Sequence, residues 1–389
     1  MERTEYELAQ IIEQFGTAFV EQYHPNSFTV RTLDALQQCR TVTLGGHKDK
    51  CNNESCGHER YSYNSCGNRH CPKCQTSKQM LWAEDRMRDA LNVKYFHVVF
   101  TVPDLLHPIS LLDSKAFYSA LFECVWSTLR TFGYTHYGVE TGAICLLHTW
   151  GKQLSLHPHL HCLVPAAGLT LQGKLKIITK NGKYLYDVHQ LSATFRGKLL
   201  QKLKLQLKKN NQLAQHQKTI DACYAKRWVV NCESPLGNAK QIVNYLAQYI
   251  HRVAISNANI KRIDASGVSF LYKDYKDKAN MKPTHLTGVE FLRRFCMHIL
   301  PYRFVKIRYY GILGSRYKKE VQRLSRSLSG KPDLTKPVET RQQRMVRLTG
   351  FDPCKCPRCK TGTMITIEEL PKIRSPVNVL YPNGLKFIC

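Results

Sequence analysis

Apolar positions change their spacing along the chain, and each change marks an element. Leu8, Ile11, Ile12, Phe15 and Phe19 recur at three- and four-residue steps, one face of a helix, within a lead-in of residues 1–30. Tyr95-Phe-His-Val-Val-Phe-Thr-Val102 is a β-branched and aromatic run that Pro103 stops, which predicts a strand. Phe117, Leu121, Cys124, Val125, Thr128 and Leu129 return to helical spacing, most economically a core-facing stripe. Apolar runs beginning at Ala143 and covering Leu160 to Val164 predict further strands. After Gly168, LTLQGKLKIITKNGKYLYD reads as a hairpin with Asn181-Gly182 as its turn. Leu191, Phe195, Leu199, Leu203 and Leu207 then repeat every four residues and predict an amphipathic helix. A helix around residues 238–252 and a strand pair in IKRIDASGVSFLYKD follow.

Charge narrows the function. The 389 residues carry 57 Lys+Arg against 29 Asp+Glu, a formal charge of +28. Such an excess is the footprint of a phosphate-rich partner, DNA or RNA, although a basic solvated surface is the plainer alternative. Residues 174–218 hold eleven Lys/Arg and one acid, Asp187. Residues 316–350 hold ten Lys/Arg against three acids and read as a basic linker or arm. A hydrophobic content of 43% excludes wholesale disorder. The N-terminal MERTEYELAQ has no apolar signal-peptide core. The longest uncharged stretch, Leu154 to Gly173, contains three histidines and two prolines, so no membrane span is expected. A soluble protein is the expectation.

Six of the sixteen cysteines fall within residues 39–74, beside histidines, and four within the last 36 residues, which favours metal sites over disulfides. Cys51-x4-Cys56 and Cys71-x2-Cys74 are two thiolate pairs at zinc-knuckle spacing. A four-cysteine site has no open position for a catalytic water, so its role is folding. Cys39, His47, His58, Cys66 and His70 lie among them, and Cys39, His47, Cys66 and His70 make a candidate second zinc site. Cys354, Cys356 and Cys359, with the distant Cys389, make a candidate C-terminal one resembling a zinc ribbon. Aromatic and basic residues mix from Arg60 to His70, and Arg60 and Arg69 are candidate DNA contacts. The cysteine-rich module spans residues 31–85 and the C-terminal cluster residues 351–389.

Two further segments suggest catalysis. In Leu156-His-Pro-His-Leu-His-Cys-Leu-Val164, strand alternation turns His159 and His161 to the same face, where two imidazoles can hold a divalent metal if a third ligand arrives. In Asn244-Tyr-Leu-Ala-Gln-Tyr-Ile-His-Arg252, Tyr245 and Tyr249 are four apart and share a helical face. Tyrosines at that spacing are usually packing residues. A tyrosine oxygen can also attack phosphorus and form an aryl phosphodiester that conserves bond energy for rejoining. A metal held by histidines would polarise the same phosphate. Arg252, three residues beyond Tyr249, is a candidate phosphate contact or a solvated charge.

His159-Leu160-His161 resembles the HUH motif of single-strand DNA nucleases, two histidines around a hydrophobic residue, and Tyr245 and Tyr249 resemble the tyrosine pair of its two-tyrosine branch. YNSCGNRHCPKCQ, YFHVVFTVP, LHPHLHCLVPAAGL, YLAQYIHRVAISN and EFLRRFCMHILPYRFVKIRYYGIL together resemble the insertion-sequence-91 family of rolling-circle transposases, in order over roughly residues 30–315. The resemblance implies an α+β fold: a ferredoxin-like HUH nuclease domain over residues 90–315, an antiparallel sheet with helices, flanked by small zinc-binding modules. Phe100-Thr101-Val102 would match the motif lining the DNA path. One tyrosine would cleave single-stranded DNA at a transposon end, leaving a 5′-phosphotyrosine and a free 3′-hydroxyl, and the second would accept the strand in the next transfer. Magnesium or manganese is the implied catalytic ion, with zinc structural. For the third metal ligand the resemblance favours Gln248, with His157 and Gln153 as rivals. Transposon ends and target DNA are the implied partners, in a prokaryotic cytoplasm. The alternatives are a rolling-circle replication initiator, with the same chemistry, and a zinc-dependent DNA-binding protein without catalysis.

Overall fold

The computed structural model describes residues 4–178, 185–236, 253–274, 277, 280–329 and 338–373. Helices α1 (Leu8–Tyr23) and α2 (Ser27–Gln37) open it, the second capped by the Asn26 side chain, which accepts the Thr29 N–H. Strands β1 (Gly46–Cys51) and β2 (Glu59–Tyr63) and helix α3 (Pro72–Asp89) follow, then β3 (Tyr95–Thr101). Helices α4 (His107–Leu112) and α5 (Ser114–Tyr137) lead into β4 (Val139–Glu140), β5 (Gly142–Trp150), β6 (Leu156–Pro165), β7 (Ala167–Thr170) and β8 (Leu175–Ile177). Next come α6 (Val188–Lys209), α7 (Leu213–Ala225), β9 (Val230–Leu236), β10 (Ile260–Asp264), β11 (Gly267–Asp274) and β12 (Asn280–Leu286). The last are α8 (Gly288–Cys296), β13 (Ile307–Gly311), α9 (Lys318–Ser329), α10 (Arg341–Thr349) and β14 (Met364–Leu370). The fold is mixed α+β with antiparallel sheets. No described helix is long and apolar enough to cross a membrane.

A five-stranded antiparallel sheet in the order β13-β5-β6-β3-β9 is the centre of the molecule. Alternation along its inner strands gives it two unlike faces. Phe96, Val98 and Phe100 of β3 and Leu160, Cys162 and Val164 of β6 are buried in the main core with Leu121, Val125 and Leu129 of α5 and Phe195, Leu199 and Leu203 of α6. Phe195 meets Phe100 and Trp228 edge-on, ring centroids 5.1 and 5.3 Å apart. Asp113 and Asp187 cap α5 and α6 by accepting first-turn N–H groups. The opposite face carries the histidines.

The lead-in helices belong to a second core. Ile11 and Ile12 of α1 and Leu33 of α2 pack with Phe270 of β11 and Phe291 and Phe295 of α8. Residues 8–37 are thus joined to residues 255–295 by burial.

The first hairpin after Gly168 turns at Gly173, earlier than the expected turn, and pairs Leu169 with Leu175. Gly173 has φ +73°, the left-handed conformation a tight turn needs, and Thr170 and Lys174 close it with a 3.0 Å bond. Asn181-Gly182 lies outside the described residues. Within the basic segment 316–350, α9 and α10 form among the described residues, and α10 is fastened by Arg344 to Glu84 and Asp85 of α3.

Candidate metal centres and nuclease site

Antiparallel register assembles the histidines. Residues directly opposite each other share a face, and β6 pairs His159 with His148 of β5 and His161 with Val99 of β3. His97, two residues before Val99, falls on that same face. His148, His159 and His161 each bring one nitrogen within 4.8 Å of the others. The His159 and His161 Nε2 atoms are 3.1 Å apart. His148 lies against both, with ring centroids 5.5 Å from His159 and 4.6 Å from His161. His148, His161 and His97 are buried.

Neighbouring contacts decide which nitrogen of each ring is available. His159 Nδ1 donates to the His157 carbonyl at 2.6 Å, which leaves its Nε2 lone pair facing the cluster. Burial pushes the His159 imidazole down to about 4, so it stays neutral and able to ligate at physiological pH. His161 Nδ1 lies 2.9 Å from His97 Nε2, with the rings nearly parallel. The tautomer in which His161 donates and His97 accepts is the one that frees His161 Nε2 for a metal. Three imidazoles converging on one point have the chemistry of a divalent transition-metal site.

The third residue of this cluster is His148. The sequence gives no sign of it, because it follows an apolar run, Ala143 to Leu147, and nothing but strand register connects it to His159. Neither rival named earlier holds that place. His157 uses its carbonyl to orient His159 and sets its ring against His107. Gln153 sits in a left-handed turn with φ +51°. Gln248, Tyr245, Tyr249 and Arg252 lie outside the described residues. Of the Phe100-Thr101-Val102 motif, Phe100 and Val102 are buried, while Thr101 pairs with His159 on the histidine face.

The cysteines group differently from the sequence expectation. Cys71 and Cys74 join Cys39 and Cys66, while Cys51 and Cys56 join Cys356 and Cys359. The physical reason is strand pairing. The β1–β2 hairpin carries Cys51 and Cys56 at one end, where the C-terminal knuckle meets them, and α3 brings Cys71 and Cys74 under Cys39 at the end of α2. In the first cluster Cys39 lies 3.5 Å from Cys71 and from Cys74, and Cys66 lies 3.7 Å from Cys74. Sulfurs about 2.3 Å from a tetrahedral zinc are separated by roughly 3.8 Å, so this set fits zinc.

The expected histidine ligands are elsewhere. His70 is half-buried, accepts the Leu300 N–H at 3.4 Å, and is pushed down to about 3 by desolvation and by the nearby Lys306 and Arg69 charges. His47 lies 3.5 Å from Asp49. Cys354 is outside both clusters and accepts from Gln342 Nε2 at 2.8 Å; Cys389 is outside the described residues. The two described arginines expected on DNA are engaged internally. Arg60 binds Asp49 and the Pro353 carbonyl, each at 3.0 Å. Arg69 donates to the Phe304 carbonyl and lies beside Lys306, whose ammonium is pushed down to about 8 by burial and by the Arg69 charge.

Residues 11–102 match the family described as transposase zinc-binding domain, and residues 142–320 match a family described as putative transposase. A putative transposase, y4qJ, of Sinorhizobium fredii (strain NBRC 101917 / NGR234) is 37% identical over 394 residues, covering 97% of this chain and 98% of its own. This chain belongs to the insertion-sequence-91 transposase family. The transposase for insertion sequence element IS801 of Pseudomonas savastanoi pv. phaseolicola is 28% identical over 315 residues, 79% of this chain and 74% of that protein. No solved structure matches. The zinc-binding family match contains all four cysteines of the first cluster, so a structural zinc belongs to this N-terminal part of the transposase.

Proposed function

We propose that this transposase cleaves and rejoins single-stranded DNA at transposon ends by tyrosine transesterification on a ferredoxin-like HUH fold, in a rolling-circle type of transposition. The observation that carries this reading is the cluster of His148, His159 and His161 in a member of this transposase family. These three side chains would hold a divalent ion, and that ion would supply Lewis-acid polarisation of the scissile phosphate. An all-imidazole donor set suits manganese better than magnesium, which prefers oxygen ligands. His97 would keep His161 in its ligating tautomer. The oxygen of Tyr245 or Tyr249 would attack phosphorus while the bond to the 3′-oxygen breaks. The tyrosine gives up its proton and the departing 3′-oxygen takes one up. The resulting 5′-phosphotyrosine keeps the energy of the broken bond, and the second tyrosine can take up the next strand. The proposed catalytic unit spans residues 90–315 and the cysteine module residues 31–85, with 1–30, 316–350 and 351–389 around them.

The test is incubation of purified protein with labelled single-stranded DNA from the ends of its element, plus manganese or magnesium, followed by a denaturing protein gel. A metal-dependent covalent band that disappears in His161→Ala, and in one of Tyr245→Phe or Tyr249→Phe, is expected. Tight metal-independent binding with every strand intact would reject the nuclease reading and leave a DNA-binding protein. A band that survives both single Tyr→Phe changes and the double change would place the nucleophile elsewhere.

A further inference from the structure

We propose that Cys51, Cys56, Cys356 and Cys359 bind a second zinc ion that clasps the C-terminal segment onto the N-terminal module. Among the described residues, each half supplies two of the four thiolates of this cluster. Cys56 and Cys356 are 300 residues apart in sequence and Cys51 and Cys359 are 308 apart, yet their sulfurs approach to 3.8 and 3.7 Å. Those separations are the edge of a tetrahedron whose centre is about 2.3 Å from each sulfur, the zinc–thiolate distance. The zinc-binding family match ends at residue 102 and the transposase match at residue 320, so Cys356 and Cys359 lie outside both.

The surroundings are built for this junction. Strand β14 pairs with β1 from Gly46–Leu370 to Cys51–Met364. Thr366 Oγ1 donates to Asp49 Oδ1 at 2.8 Å, and Asn52 exchanges two bonds with Thr363 at 2.7 and 3.0 Å. In the knuckle, the Gly362 N–H donates to Cys359 Sγ at 3.2 Å, the bond that holds a thiolate in a metal loop. A Cβ on Gly362 would lie 2.4 Å from Cys51 Sγ, so only glycine lets the two halves close. Apolar burial here is slight: Met364 is the one buried residue that is not a ligand in this cluster. So small a core needs a metal to hold it.

The clasp has a consequence for the basic segment. Arg344 and Arg347 of α10 pair with Glu84 of α3, so the C-terminal segment meets the N-terminal module at two places. The segment from β13 to β14 therefore has both ends fixed to the body of the protein.

The full-length protein loaded with cobalt reads this out, because thiolate-to-cobalt charge transfer ignores an imidazole-only site. Two four-thiolate sites per chain are expected, and Cys356→Ser/Cys359→Ser halves the band. Cys354→Ser leaves it unchanged. Hydrogen exchange in the double variant should rise in residues 46–51 and 364–370 but not in β3 or β6. Cys356→His should keep both cysteine-cluster metal ions with a band reduced by one thiolate's share, which decides the matter if the double variant aggregates. A band unaltered by Cys356→Ser/Cys359→Ser and by Cys356→His, or one reduced equally by Cys354→Ser, would overturn the clasp.

Discussion

At the scale of single residues, the site depends on which imidazole nitrogen faces which neighbour. His148→Asn removes one of three nitrogens, and manganese affinity should fall at least tenfold; calorimetric titration of zinc-loaded protein checks this, and unchanged affinity would remove His148 from the ligand set. His97 acts through His161, so its loss should cost roughly tenfold to a hundredfold in metal affinity. His97→Gln, which can still accept the His161 Nδ1–H, should recover part of what His97→Phe loses. Equal losses in both variants would assign His97 a packing role.

His298 tests burial by titration. Its ring is buried between Thr149 Oγ1, 3.2 Å from Nδ1, and the Leu154 carbonyl, 3.1 Å from Nε2. Burial pushes its pKa from 6.5 down to about 4. The unfolded chain therefore takes up a proton first on acidification. The stability due to neutral His298 is complete above about pH 6.5 and is lost as pH falls towards 4. Relative to His298→Gln, the wild type should lose roughly 2–3 kcal/mol across that window, at about 1.4 kcal/mol per pH unit. Denaturant unfolding at several pH values measures the difference, and a pH-independent difference would contradict it.

At the scale of elements, the sheet separates two tasks. One face of β3 and β6 is anchored by α5 and α6, and the other holds the histidines in register. Phe195 is the keystone of the anchored face, fully buried against Phe100 and Trp228. Phe195→Ala should cost about 3–5 kcal/mol in unfolding free energy. Because Phe100 lies one residue from Thr101, which opposes His159, the same cavity should loosen the metal site. A large stability loss with unchanged manganese affinity would show that the two faces are independent.

At the scale of the whole molecule, the formal charge of +28 sets the partner's physics. Binding to single-stranded DNA should weaken linearly in log–log coordinates with salt, with a slope of about −0.7 per phosphate neutralised. A flat salt dependence would mean that the basic residues are solvated surface. Arg60 and Arg69 are engaged within the protein, so changing them should affect folding more than the salt slope.

Local pattern carried much of this protein. Strand β3 before Pro103, the stripe of α5, the four-residue repeat of α6 and the β10–β11 pair all follow from periodicity, because side-chain alternation and helical pitch are properties of the backbone itself. So did the placing of His159 and His161 on one face. The family was legible too, since the order of its motifs is a linear property.

What sequence order does not encode is which distant segments become neighbours. Pairing between β5 and β6 brought His148 to His159, pairing between β3 and β6 brought His97 near His161, and pairing between β1 and β14 joined cysteines about 300 residues apart. Thiolates carry no label for their partner, so two cysteine pairs close in sequence looked like one site. Backbone hydrogen bonds between strands chose instead, because register fixes side-chain neighbours to within a residue and a metal accepts only ligands that reach its centre.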